Sequence, residues 1–129
     1  MNRLVALLLV VLWTAWIVAC SSSTSPTAAT TDTFTGTLAQ GTENSYNFTT
    51  SGSGTVTVTV TSLSPQLAIG LGIGTASGTT CSATTENAAV QQSGTVTMTA
   101  SSASTYCAIV YDSGTLTQSV AYTITVAHP

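Results

Sequence analysis

Few side chains in this sequence can do chemistry, and they are spread thinly along it. The chain of 129 residues has three cysteines, one histidine and four carboxylates, and Arg3 is its one basic side chain. A serine nucleophile needs a neighbouring base. The single histidine, His128, is next to Pro129, where we predict fraying that would prevent this role. The acids are too scattered for paired acid–base hydrolysis: Asp32, Glu43, Glu86 and Asp112. We therefore predict a protein that is not an enzyme, with no cofactor and no zinc cluster.

Cys20 ends an apolar segment that follows the single positive charge on Arg3. The segment is too short to span a membrane comfortably and has the length of a signal-peptide core. Its end, Ile17-Val18-Ala19-Cys20, resembles the bacterial lipobox. The resemblance implies a diacylglycerol thioether on Cys20, cleavage just before it, and acylation of the new amino terminus. Residues 1–19 are then a lipoprotein signal peptide.

Two other interpretations of the N-terminal segment remain, an ordinary cleaved signal peptide and an uncleaved membrane helix. The stretch that follows, residues 20–31, is rich in serine and threonine, and we interpret it as a flexible tether. By resemblance to Gram-negative lipoproteins, Ser21 rather than an aspartate after the cysteine favours the outer membrane. The expected location is the bacterial cell envelope, with the membrane contacted through the lipid on Cys20.

Setting Cys20 aside leaves an even pair of cysteines, Cys81 and Cys107. Disulfides persist in the oxidising compartments outside the cytoplasm. We predict that these two residues are bonded; two buried free thiols are the alternative.

The charge pattern excludes some partners. No lysine or arginine follows Arg3. Nucleic-acid binding depends on cations that displace counterions from phosphates, and anionic lipids are recognised by basic clusters. We therefore predict no nucleic-acid partner, and a protein or glycan partner is left undefined.

From Asp32 onward, apolar and polar residues alternate with a period of two, which is typical of half-buried strands. The clearest segment runs from Thr55 to Thr61, where valine and threonine alternate. Six further segments are centred on 34–38, 46–49, 67–73, 95–99, 107–111 and 122–126, and an eighth short strand near 88–90 is an option. This predicts an all-β domain over residues 32–129, a two-sheet antiparallel sandwich with about seven or eight strands.

Several segments of this domain resemble the bacterial pre-peptidase C-terminal type of domain. They are Phe34-Thr35-Gly36-Thr37-Leu38, Tyr46-Asn47-Phe48-Thr49, Leu71-Gly72-Ile73-Gly74, the segment from Tyr106-Cys107 to Asp112-Ser113-Gly114, and the closing strand 122–126 with His128-Pro129. The resemblance implies a jelly-roll-like sandwich that serves as an accessory module of secreted proteins. It brings no catalytic residues.

Four binding hypotheses rest on single features. Tyr106, predicted to face away from Cys107, is the candidate exposed aromatic for a sugar. Asp32 and Asp112 could join in a calcium site built from distant loops. Asn47-Phe48-Thr49 fits a glycosylation acceptor, which we interpret as coincidence beside a bacterial lipobox. The threonine rows at 55–61 and 95–99 are either ordinary polar filler of a solvated strand face or an array that resembles ice-binding surfaces.

The sequence thus predicts a lipid-anchored, non-catalytic module outside the cytoplasm with an accessory or binding role. The alternative is a structural or adhesive envelope protein that associates with itself through uncharged, threonine-rich edges.

Overall fold

The structure, a computed structural model, describes residues 28–129. The predicted signal peptide, Cys20 and most of the tether lie outside the described residues. The described chain forms strands β1 (Thr30–Leu38), β2 (Glu43–Thr49), β3 (Gly54–Ser64), β4 (Ile69–Ser77), β5 (Thr80–Val90), β6 (Thr95–Ala100), β7 (Thr105–Tyr111) and β8 (Val120–His128). No helix long and apolar enough to cross a membrane occurs between residues 28 and 129.

The strands form two antiparallel sheets of four, in the orders β1-β8-β3-β6 and β2-β7-β4-β5. Consecutive strands β1 and β2 belong to opposite sheets, as do β3 and β4, so the chain repeatedly crosses from one layer to the other. Eight strands distributed in this way form a jelly roll. The predicted all-β sandwich is therefore confirmed.

The core lies between the two sheets and is built from alternating strand positions. In β3, Val56, Val58 and Val60 are fully buried, while the threonines between them face outward. Such alternation places every second side chain on the same face of a strand. The other fully buried large side chains are Leu38, Ile69, Leu71, Ile73, Val110, Val120, Ile124 and Val126.

Strand β4 departs from the half-buried pattern because both of its faces are covered. Leu71 and Ile73 point into the core, and the glycines at 70, 72 and 74 occupy the outer face. The side chains of β7 cover these glycines: the ring of Tyr111 lies over Gly70, and Ile109 lies over Gly72. A side chain at either glycine would collide with its cover, which explains the glycine at every second position.

Strand β7 is consequently apolar on both faces. Tyr106 does face away from Cys107, but the prediction that this places Tyr106 in solvent was wrong. Tyr106, Ala108 and Val110 belong to the core, whereas Cys107 and Ile109 are buried on the outer side of the sheet. The sequence of β7 does not show which of its two faces lies against the core, because both carry apolar residues. The outward-facing residues are apolar because they pack over the glycines of β4.

Strand β5 bends over the outer face of β4 and is fixed there by the disulfide. Strands two places apart in a flat sheet are about 9–10 Å apart. The Cα atoms of Cys81 in β5 and Cys107 in β7 are nevertheless only 5.8 Å apart, with β4 between these strands. The register of β4 and β5 shifts between Ile73 and Gly74, and the carbonyl of Ser82 lies where a side chain at position 74 would begin. The predicted disulfide is confirmed, and it connects an edge strand to a central one.

Two strands begin earlier in the chain than the sequence predicted. β1 starts at Thr30, so the last two residues of the predicted tether are part of the sheet, paired with the end of β8. The optional short strand near 88–90 is the end of β5, which begins at Thr80. Its apolar content is too low for the pattern to reveal it, because most of its side chains are exposed.

We expect reduction of the Cys81–Cys107 bond to lower the melting temperature by about 10 °C or more. The bond closes a loop with a sequence separation of 26, which in the chain-entropy view stabilises the fold by about 3–4 kcal/mol. Each kcal/mol shifts the melting temperature of a domain this size by about 4–8 °C. Circular dichroism melts with and without a phosphine reductant measure the shift. An unchanged melting temperature, or two free thiols besides Cys20 in the unfolded unreduced protein, would contradict the prediction.

Candidate functional site

The end of the sandwich near the start of β1 contains a histidine–aspartate pair. Nε2 of His128 lies 3.0 Å from Oδ2 of Asp32, and Nδ1 lies 3.3 Å from the carbonyl oxygen of Pro129. The His128 side chain is 5% exposed and packs at 5.2 Å against the ring of Phe48. The prediction that His128 frays was wrong. It belongs to β8, which lies between β1 and β3, and Pro129 accepts a hydrogen bond from the amide of Ser51.

The pair has the geometry of a structural contact at the end of the core. Both ring nitrogens of His128 face oxygen acceptors, and within residues 28–129 no serine hydroxyl is hydrogen-bonded to it. A serine nucleophile requires such a contact with its base. Asp32 points inward from an edge strand, and inward-facing charges on edges discourage pairing with other chains. The arrangement connects the first and last strands and protects the edge at β1.

Asp112 connects two loops at the other end of β1. Its Oδ1 accepts backbone N–H groups of Gly114, Thr115 and Leu116 at 2.8–3.2 Å. Its Oδ2 accepts the N–H of Gly41 at 2.8 Å. The hydrogen bond from Gly41, together with those from the other three amides, lowers the pKa of the Asp112 carboxyl. The carboxylate thus fixes the turn between β1 and β2 to the loop before β8.

We expect Asp112→Asn to destabilise the domain near neutral pH and to have a smaller effect in strong acid. A carboxyl whose pKa is lowered by folding stabilises the fold above its ordinary pKa of about 4, and the contribution disappears as pH falls through the lowered pKa. Asparagine offers one acceptor oxygen instead of two, so the N–H of Gly41 loses its partner. Melting temperatures of both proteins from about pH 2 to about pH 7 test this. A difference that is the same at every pH would contradict it.

The two acids proposed for a distant-loop calcium site do not meet. Asp32 is near the start of β1, and Asp112 contacts Gly41, just beyond its end. Nine residues of strand extend over about 25–30 Å, so the candidate site is wrong. No group of three or more metal-binding side chains occurs in the part of the chain that the structure describes.

Among the described residues, the aromatic side chains other than Tyr111 pack inside or at the edge of the sandwich, and the Tyr111 ring lies over Gly70 on the outer face of the second sheet. Tyr106, the candidate exposed aromatic, is 6% exposed and stacks on Phe48 with ring centroids 6.1 Å apart, so this candidate is wrong. Tyr46 and Tyr122 share a hydrogen bond of 2.7 Å, and Asn44 donates to the Tyr122 hydroxyl at 2.8 Å. Burial, followed by the bond to Tyr46, raises the pKa of Tyr122 well above its usual range.

The outer face of the β1-β8-β3-β6 sheet carries a regular array of threonines, which we call the threonine face. Every outward side chain of β1 between residues 31 and 37 and of β6 is threonine. Strands β3 and β8 add threonines at alternate positions between them. The threonine face consists of Thr31, Thr33, Thr35, Thr37, Thr55, Thr57, Thr59, Thr95, Thr97, Thr99, Thr123 and Thr125.

Strand register aligns these threonines in rows across the sheet. One row contains only threonines, with Thr33 opposite Thr125, Thr125 opposite Thr59, and Thr59 opposite Thr95. The next row runs Thr31, Ala127, Thr57, Thr97. Neither row contains a charged or aromatic side chain. The sequence revealed the threonines of β3 and β6, but not that β1 and β8 complete the same face.

Two shallow depressions lie on the threonine face, one on either side of the all-threonine row. Each is centred on a position of β8 that has alanine instead of threonine. One, of about 360 Å³, surrounds Ala121 and is lined by hydroxyls, including those of Thr35, Thr37 and Thr123. The other, of about 270 Å³, surrounds Ala127 and reaches His128. Both are open, and neither is lined by an acidic side chain, a lysine or an arginine.

The remaining predicted residues lie elsewhere. Asn47 is exposed on β2, and its side-chain amide donates to the carbonyl of Gly78 at 3.4 Å. Cys81 and Cys107 lie on the outer face of the second sheet, the side opposite the threonine face. Cys20 lies outside the described residues.

The fold and site together define a disulfide-containing jelly-roll sandwich with an uncharged hydroxyl-bearing face. No protein-family model matches the chain. A search of curated proteins found no significant match either.

Proposed function

We propose that this chain is a lipid-anchored, non-catalytic module of the bacterial cell envelope with an accessory or binding role. The observation that carries the proposal is the cysteine arrangement. The chain has three cysteines, and Cys81 is bonded to Cys107. Cys20, the third, ends the lipobox-like sequence and is available for a thioether. Several acyl chains on one residue anchor a protein stably, whereas a single chain does so only reversibly.

The position of β1 supports anchoring at this residue. The first strand begins at Thr30, about ten residues after Cys20, and it lies at the edge of its sheet. A connection of that length spans up to about 35 Å when extended. It allows the threonine face and the loops around Asp112 to be presented away from the lipid surface. By the residue after the cysteine, we assign the anchor to the outer membrane.

The accessory role follows from the resemblance to the pre-peptidase C-terminal type of domain and from the composition of the surface. Exposed hydroxyls and amides dominate it, and the histidine is engaged with Asp32 and Pro129. These features support binding or spacing rather than covalent chemistry.

We expect Cys20→Ala to abolish lipid attachment, because the thiol is the atom that receives the diacylglycerol. The matched control is Ser22→Ala, two residues along in the tether. In detergent phase partitioning of the full chain expressed in bacteria, the control and the unaltered protein enter the detergent phase. The Cys20→Ala protein either enters the aqueous phase or stays unprocessed. Equal partitioning and equal processing of all three would contradict the lipid anchor.

One observation favours a second function, self-association within the envelope. Strand β5 ends its sheet, nearly all of its side chains are exposed, and Glu86 is its one charge. A long edge strand with a single charge can pair with another chain. Sedimentation of the purified protein at increasing concentration tests this, and a monomer at every concentration would exclude it.

A further inference from the structure

The threonine face has a regular repeat in two directions, which limits the ligands that it could match. Adjacent strands are about 4.7–4.9 Å apart, and side chains two residues apart on one strand are separated by about 6.4–6.8 Å. Thr125 therefore lies between Thr33 and Thr59 across the sheet, and its neighbours on the same face of β8 are Thr123 and Ala127. A surface with such a repeat complements a ligand that itself repeats.

Charge and size argue against several kinds of ligand. The two rows have no charged side chain that could pair with an ionic group and no aromatic ring that could stack on a sugar. The face covers about 400–500 Å² by strand spacing and length, while stable protein interfaces bury about 800 Å² on each partner. It also lacks the Trp, Tyr and Arg side chains that dominate binding energy in such interfaces. A second copy of the chain or another protein is thus a poor match.

We propose that the threonine face binds the surface of ice. An ice surface is a neutral lattice of water oxygens with a repeat of a few ångströms, and threonine hydroxyls both donate to and accept from water. Threonine is branched at Cβ, so its χ1 is restricted and the hydroxyls are held in place before binding. The methyl groups between them add apolar contact without charge.

The twist of the sheet limits how strongly the threonine face can adsorb to ice. Neighbouring strands rotate by about 20–25° relative to each other, so the flattest part is the central pair, β8 and β3, with Thr123, Thr125, Thr57 and Thr59. A small flat area adsorbs to ice without covering it. We therefore expect inhibition of ice recrystallisation rather than a large depression of the freezing point. This property rests on the fold of residues 28–129 and is independent of the lipid anchor.

Ice recrystallisation assays of the purified full chain in detergent, with detergent alone as the blank, test the proposal. Thr59→Lys is expected to raise the lowest inhibiting concentration by about tenfold or more, since it places an unpaired ammonium against the ice lattice. Thr33→Lys, at the exposed edge of the same row, provides a second variant if Thr59→Lys does not fold. The matched control, Thr49→Lys, lies exposed on the other sheet and should leave the inhibiting concentration unchanged.

Three outcomes would overturn the proposal. The unaltered protein could fail to inhibit recrystallisation at any soluble concentration. Thr49→Lys could reduce inhibition as strongly as the row variants, which would show that the threonine face is not responsible. The protein could bind microcrystalline cellulose without affecting ice, which would assign the face to a crystalline polymer. Circular dichroism of every variant confirms that the fold is intact.

Discussion

Val58→Asp is expected to unfold the domain, whereas Thr57→Asp leaves it folded. Val58 is fully buried in β3, which lies between β8 and β6. A carboxylate there would have no partner in the apolar core, and burying an unpaired ion costs several kcal/mol. That cost is comparable with the whole stability of a small domain, about 5–15 kcal/mol. Thr57 points to the opposite, partly exposed face.

Circular dichroism melts of the two variants give the comparison. We expect no cooperative transition for Val58→Asp and a loss of about 1 kcal/mol for Thr57→Asp, the span of strand propensities. If Thr57→Asp were the more damaging change, the threonine face would have to be covered rather than open to solvent. The stability result therefore also bears on the accessibility of that face.

Gly74→Ala is expected to destabilise the domain by about 3 kcal/mol or more, at the upper end of overpacking effects. A Cβ atom at this position would overlap the carbonyl group of Ser82 in β5. The obstacle is backbone rather than a flexible side chain, so β5 must move away from β4. Such a movement also separates Cys81 from Cys107, and we expect the variant to form the disulfide less completely.

Gly52→Ala is the matched control for this change. No atom lies within 4 Å of a Cβ added at Gly52. The same substitution there should leave stability unchanged or raise it slightly by restricting the unfolded chain. Thermal melts and thiol titration of both variants provide the measurements. Equal effects of the two substitutions would contradict the close passage of β5 over β4.

The sequence was sufficient for the fold class because most strands have one solvated face. In β3, valines at 56, 58 and 60 alternate with threonines, and that alternation predicts both the strand and its buried side. The same holds for β8, where Tyr122, Ile124 and Val126 are buried. Two sets of such faces can bury each other, so a sandwich follows.

In strands that do not have one buried and one solvated face, the alternation of apolar and polar residues no longer predicts which side faces the core. Tyr106 and Cys107 are neighbours in β7, and both are buried, because the outer face of β7 packs over the glycines of β4. Alternation cannot identify the core side of a strand that is covered on both sides. Strand β5 could not be predicted for a different reason: it is mostly exposed and contains few apolar residues, so it shows no apolar–polar alternation.

The candidate site depends on long-range pairing that the sequence does not display. His128 and Asp32 are 96 residues apart, and they meet because the last strand pairs with the first. The same pairing adds the threonines of β1 and β8 to those of β3 and β6. The residues of the threonine face were visible individually, but their alignment in rows is a property of the topology.

Mass spectrometry of the mature amino terminus tests the lipid anchor most directly. For protein purified from bacterial membranes, we predict an N-terminal peptide that begins at Cys20 and carries the mass of a diacylglycerol thioether and an amide-linked acyl chain. An amino terminus at any other residue, with Cys20 unmodified or removed, would contradict the proposed function.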